Sequence, residues 1–215
     1  MLILEKIGKK YGELTVFEDF SLSVEEGETL AILGNSGAGK TTLLNLIAGL
    51  TDFEGTIRNL PERTGYIFQE DRLVPHFTVL ENLKLVATEE SATSALRKAG
   101  LADFAKEYPA RLSAGMKRRV AILRAFLYDA PLLLMDEPFR NLDLTLKYTL
   151  MDFFRQLRLE RDVTALFVTH DVEEAVCLAQ RAIVLEKGKI VQDIKIGDGK
   201  EASGILRGYF LEKRT

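Results

Sequence analysis

Gly34-Asn35-Ser36-Gly37-Ala38-Gly39-Lys40-Thr41 decides how the rest of the 215-residue chain is read. The string fits G-x-x-x-x-G-K-[ST]; a strand-length apolar run, Thr29 to Leu33, precedes it and a helical pattern follows it. Its glycines leave the backbone free to wrap a polyphosphate, so that successive N–H groups and the helix N-terminus face negative charge. In that arrangement Lys40 reaches the β- and γ-phosphates and the Thr41 hydroxyl ligates Mg²⁺.

Outward from this loop, Leu132-Leu133-Leu134-Met135 has the length and apolarity of a central parallel strand covered on both faces. It ends in Asp136-Glu137-Pro138, at the edge where open α/β sheets bind ligands. There Asp136 is placed to hold Mg²⁺ and Glu137 to orient or deprotonate an attacking water. A second buried run, Val163 to Val168, ends at Thr169-His170-Asp171. Asp171 and Glu174 frame a capping box, which accounts for Asp171 but not His170. A histidine there either hydrogen-bonds a terminal phosphate or is satisfied locally.

Gln69 directly follows the strand-like Thr64 to Phe68, where its amide reaches a metal or its water, or is a polar loop residue. Ser113 is a good N-cap for a helix to about Tyr128 with Val120, Leu123, Phe126 and Leu127 on its buried side. That N-terminus offers a second anion site, although on spacing alone Ser113 is only a cap and Lys117 to Arg119 a solvated face. Asp143, after Asn141-Leu142, caps an amphipathic helix from about Leu144 to Glu160.

Leu2 to Ile7 and Leu14 to Val24 alternate apolar and polar positions, as half-buried antiparallel strands do. Tyr11 falls on the loop between them and either stacks on a nucleobase or serves an ordinary turn. Leu43, Leu44, Leu46 and Ile47 give the post-loop helix a broad apolar face, closed at Gly49. Thr56 to Leu60 and Thr64 to Phe68 read as short strands around Pro61. From Asp71 to Tyr108 the texture is helical: a capping box opens at Thr78, Ser91 to Ala99 is closed by Gly100, and Ala102 to Tyr108 is stopped by Pro109. The apolar Leu73 to Phe77 before the first of these helices is a natural partner contact, with His76 a loop or contact residue. Ala182 to Leu185 and Lys189 to Gln192 form a hairpin, and a final helix from Glu201 carries Ile205, Leu206, Tyr209 and Phe210 on one face.

The length suits one large α/β domain. A net charge of −3 leaves no basic excess for nucleic acid, which is not expected as a partner. The single cysteine, Cys177, cannot form an internal disulfide and reads as a buried inert thiol in a helical segment. No leader pattern and no run near the ~18 apolar residues of a membrane span is present. The chain is expected to be cytoplasmic, with any membrane role supplied through a partner.

Taken in order, these motifs resemble the nucleotide-binding domain of an ATP-binding cassette (ABC) transporter nearly end to end. Tyr11 falls at that family's adenine-stacking aromatic, and Gly34 to Thr41, with Thr42 beside them, at its Walker A. Gln69 matches the Q-loop, Leu112 to Met116 the signature motif, Leu132 to Asp136 the Walker B, Glu137 the catalytic glutamate, Asn141 to Asp143 the D-loop and His170 the switch histidine. The stretch from Gln69 to Asn82, with Met116, is similar to the importers of nitrate, sulfonate and taurine.

The resemblance implies a P-loop NTPase core of mostly parallel sheet flanked by helices, in residues 1–70 and 130–200, together with an antiparallel β subdomain. It also implies an inserted α-helical subdomain at about 71–129 and a C-terminal helix at about 201–213, all in one ATPase domain spanning 1–215. ATP and Mg²⁺ are the expected ligands. Lys40, Glu137 and His170 would serve catalysis, and Thr41, Gln69 and Asp136 the metal. Tyr11, Gly34 to Thr42, Gln69 and Asp143 would bind the nucleotide, joined by Ser113, Ala114 and Gly115 in the signature helix of a second cassette in a head-to-tail dimer, a homodimer in the first instance. Transmembrane permease subunits and a solute-binding protein complete the implied system, which places the chain on the inner face of the cell membrane. A soluble cassette ATPase acting on a non-membrane partner is the competing reading. Ala114 stands where the family usually has glycine; it adds a methyl group and disfavours positive φ. Met116 replaces a more frequent glutamine. The shortness of Gly55 to Gln69 predicts a trimmed antiparallel subdomain.

Overall fold

In a computed structural model, which describes residues 1–140, 142–161, 163–197 and 199–212, the chain forms two sheets, seven α-helices and two short 3-10 turns among those residues. The small sheet is antiparallel and runs β2 (Leu14–Val24), β1 (Leu2–Tyr11), β4 (Glu54–Arg58). The large one runs β5 (Thr64–Ile67), β6 (Leu132–Asp136), β7 (Thr164–Val168), β3 (Thr29–Gly34), β8 (Arg181–Glu186), β9 (Lys189–Lys195). Its first five strands are parallel, and β9 returns antiparallel on β8.

Every residue of β3, β6 and β7 is buried, and alternate side chains enter opposite layers. Leu30, Ile32, Leu132, Leu134, Leu166 and Val168 join Phe17, Phe20 and helix α1 (Lys40–Ile47) on one face. Ala31, Leu33, Leu133, Met135, Ala165 and Phe167 meet α4 (Ala114–Leu127), α5 (Leu144–Leu159), α6 (Val172–Leu178) and α7 (Gly199–Glu212) on the other. A third apolar cluster, including Val79, Leu83, Leu96, Val120 and Leu123, holds α2 (Val79–Lys84) and α3 (Glu89–Lys98) against α4.

Several expectations shift. β1 continues to Tyr11, which pairs with Leu14 across a two-residue turn, so Tyr11 ends a strand and does not lie on a loop. The strand before Pro61 is Glu54–Arg58, paired with β1 and set earlier than expected. No α-helix spans Ala102 to Tyr108, where the described backbone makes a 3-10 turn at Ala102–Phe104. The carbonyls of Ala105 and Glu107 instead accept the free N–H groups of Leu80 and Val79 at the start of α2. Asp171 and Glu174 do not form a capping box: Asp171 accepts from the Glu173 N–H, while Glu174 turns inward. Ile205 is exposed, and Ala202 takes the buried place on α7 beside Leu206. Cys177 is exposed. Asn141 of the expected D-loop and Lys213 of the expected last helix lie outside the described residues.

Candidate functional site

β3 delivers the chain to the glycine-rich loop, and two glycines are required there by geometry. Gly34 has φ +147°, and a Cβ would collide with the Leu185 carbonyl. Gly39 has φ +101°, and a Cβ would stand 2.9 Å from the Phe17 ring. Asn35, Ser36 and Gly37 are exposed, whereas Ala38, Gly39 and Lys40 are buried. The Lys40 ammonium donates to the carbonyls of Gly34 (2.7 Å) and Asn35 (2.9 Å), which pins it to the loop. Burial lowers its pKa, opposed by the charges of Glu137 and Asp136.

At the end of β6, Asp136 is buried, and the Thr41 hydroxyl, on the second residue of α1, acts on the acidity of its carboxyl. Burial raises its pKa, the Thr41 hydroxyl opposes that, and the Glu137 charge adds to it. A hydroxyl and a charge-starved carboxylate meeting beside the phosphate loop suit a hard dication that keeps most of its waters. Among the described residues no group of three or more His, Cys, Asp or Glu converges, which a Mg²⁺ held mainly by water and phosphate does not need.

Glu137 has φ +45°, a left-handed conformation that costs a non-glycine residue on the order of 1 kcal/mol. Its backbone is held on both sides: the N–H donates to Val168 (3.1 Å), and the carbonyl accepts from the Arg140 N–H (3.2 Å) and Arg118 Nη2 (3.3 Å). Oε2 accepts from Arg140 Nη1 at 2.7 Å, and Oε1 lies 3.8 Å from His170 Nδ1. The loop carrying His170 is tied down from within. Thr169 Oγ1 donates to Glu174 Oε2 (2.5 Å) and accepts the Asp171 N–H (3.0 Å). Buried Lys147 on α5 pairs with both Asp171 and Glu174. His170 itself is exposed.

Gly34, Asn35, Ser36, Lys40, Glu137 and His170 line one cavity of about 590 Å³. Arg140, Val172, Arg207 and Phe210 complete it, and none of the four was expected from sequence. Thr41 and Asp136 are not among its lining residues; Thr41 is exposed at the start of α1, and Thr42 follows, half-buried. Tyr11, Gln69, Ser113, Ala114, Gly115 and Asp143 do not line that cavity. Tyr11 is exposed with Lys9 4.5 Å from its ring centre. Gln69 is exposed beyond β5. Ser113 accepts from the Met116 N–H at the start of α4, and Asp143 from the Leu146 N–H at the start of α5. Ala114 is helical and not at positive φ, so the conformational penalty expected for it does not arise.

The solvated face expected at Lys117 to Arg119 is also corrected. Arg118 is buried and donates to the carbonyls of Phe68 (2.8 Å), Pro138 (2.5 Å) and Glu137 and to Asp71 Oδ1 (3.2 Å). One guanidinium thus joins the start of α4, the segment around Gln69 and the Glu137 turn. Its position three residues after Gly115, on the stripe continued by Ile122 and Ala125, was the available signal.

A family model described as ABC transporter matches residues 17–140. The aliphatic sulfonates import ATP-binding protein SsuB of Pectobacterium atrosepticum is 40% identical over 206 residues, covering 91% of this chain and 77% of its own. The sulfate/thiosulfate import ATP-binding protein CysA of Bacillus cereus is 37% identical, covering 88% of this chain and 60% of its own. Two solved structures of the cassette MJ0796 superpose at 31% identity over 91% of this chain and 99% of theirs. One, a dimer, has a TM-score of 0.81; the other, a dimer in a post-hydrolysis state bound to ADP and Pi, has 0.79.

Proposed function

Because the chain belongs to the ABC transporter family, and so binds and hydrolyses ATP, we propose that it is the subunit that powers import of a small solute through separate membrane subunits. The import systems named for its relatives handle sulfonates, sulfate and thiosulfate, which favours a small oxyanion among possible solutes. No described helix is long and apolar enough to cross a membrane, in keeping with work done through a permease and its solute-binding protein. We take residues 1–215 as one ATPase domain working at the inner face of the membrane.

The observation that carries the mechanism is a division of the site. The phosphate loop, Glu137 and His170 share one cavity, while the α4 N-terminus at Ser113, Ala114 and Gly115 stands apart from it. A second copy, docked head to tail, would bring that N-terminus and its positive dipole end to the γ-phosphate. Thr41, Asp136 and Gln69 would hold Mg²⁺, which when bound neutralises phosphate charge. Lys40 would hold the β- and γ-phosphates, Tyr11 would stack on the adenine, and His170 would hydrogen-bond the γ-phosphate. Glu137 would take the proton of a water whose oxygen bonds to the γ-phosphorus as the bond to the β,γ-bridging oxygen breaks, leaving ADP and phosphate.

ATPase activity per chain is expected to rise with protein concentration as pairs form. Glu137→Gln should lower turnover about a hundredfold or more and leave an ATP-bound dimer visible by light scattering. Activity per chain that stays constant on dilution to the monomer would refute the shared site.

A further inference from the structure

Glu137 and Arg140 stand at the two ends of a four-residue turn containing Pro138, whose ring fixes one backbone torsion. The turn brings the Arg140 guanidinium back over the Glu137 side chain, where Nη1 donates to Oε2 at 2.7 Å. The carboxylate is largely enclosed, at 17% exposure, while Arg140 reaches in from the rim at 44%. Among the described residues this is the carboxylate's one hydrogen bond. Lys40 is committed to the Gly34 and Asn35 carbonyls, and His170 Nδ1 lies beyond hydrogen-bond range at 3.8 Å.

The last torsion of a glutamate is broad and two-fold, so an unrestrained carboxylate spreads its lone pairs over many directions. A group that accepts a proton in a reaction must instead present one oxygen within hydrogen-bond reach of the reacting water. We propose that Arg140 is a positioning residue for hydrolysis: it fastens Glu137 by Oε2 and leaves Oε1, on the His170 side, to face the water. The inference rests on the assignment of Glu137 as the proton acceptor. Arg140 thereby acts on the chemical step through Glu137 and not through contact with phosphate.

The test is steady-state ATP hydrolysis at concentrations where the chain is dimeric, with Arg140→Ala, Arg140→Lys and each combined with Glu137→Gln. Arg140→Ala should lower kcat about tenfold, as expected for a displaced reacting group, with KM for ATP within about twofold of the parent. Arg140→Lys, which restores one charged donor, should recover most of the rate. In the Glu137→Gln background, removing Arg140 should cost nothing further. A thermal melt of each variant separates loss of fold from loss of rate, and the half-exposed Arg140→Lys is the variant that retains the fold. An unchanged or increased kcat for Arg140→Ala would overturn the proposal. So would a tenfold loss that persists on top of Glu137→Gln, because Arg140 would then act on the phosphates directly. Parent-like turnover by Glu137→Gln alone would instead remove the assignment of Glu137 itself, a separate result read from a separate variant.

Discussion

Asp136 is a carboxylate in a place where folding alone does not favour one. Burial raises its pKa above the free value, more than the Thr41 hydroxyl lowers it, and Glu137 adds to the rise. Its contribution to stability is therefore complete below about pH 4 and is lost as pH climbs through the folded value. Ionising the group therefore costs the nucleotide-free chain stability relative to its protonated form, a cost that a bound cation would offset. Asp136→Asn should then raise the melting temperature without nucleotide by on the order of 2 °C while abolishing Mg²⁺-dependent hydrolysis. A lower melting temperature would mean that the Thr41 hydroxyl, and not the buried charge, dominates. Asp136 and Glu137 were legible from an apolar run ending in two acids. The Arg140 contact was not, because it depends on φ +45° at Glu137, which no pattern of residue types announces.

Among the elements, the helices were readable from their caps, and the polar side chains buried between them were not. Thr78, Ser113 and Asp143 cap α2, α4 and α5 as their sequence contexts predict. Asn82, fully buried one turn into α2, accepts from the Val74 N–H and donates to the carbonyls of Val74, Phe77 and Thr78. One amide thus shapes the whole Leu73 to Phe77 stretch, which the sequence marked only as an apolar segment. Asn82→Ala would leave these backbone groups short of partners, and a loss of about 2 kcal/mol in urea unfolding is expected. A change under about 0.5 kcal/mol would show that water replaces the amide freely. Lys147 makes the same point on α5. It occupies the stripe of Leu150, Met151 and Phe154, a charged residue at an apolar period, and that mismatch is the trace its ion pairs leave in the sequence. The unformed helix at Ala102 to Tyr108 was illegible for a different reason: its carbonyls answer to α2, and local propensity carries no record of that demand.

Across the whole molecule, ion pairs between elements set the pH range of stability. Lys147 has a raised pKa: burial works against it, but hydrogen bonds from its ammonium to Asp171 and Glu174 prevail. Asp171 is lowered; burial opposes this, and the Lys147 hydrogen bond outweighs it. Asp193 on β9 is lowered by its paired bonds to Arg181 on β8. The two aspartates stabilise the fold above their free values near pH 4 and lose that contribution as pH falls through their lower folded values. Lys147 contributes fully below about pH 10.5 and loses its contribution above its folded value. Melting temperature should hold a plateau at neutral pH and fall below about pH 4. Asp193→Asn should lower the plateau and flatten the acid limb; a parallel acid limb would exclude this pair as a source of it. The architecture itself was legible because strands buried on both faces leave long apolar runs. That the α4 N-terminus lies outside the P-loop cavity is a fact about space which spacing alone does not carry; only the family resemblance, through its second cassette, implied it. The exposed thiol on α6 has a practical consequence. As the single cysteine of the 215 residues, Cys177 lets an unmutated chain accept one spin label, and a pair of such chains would report their approach as a single inter-label distance, read with and without ATP.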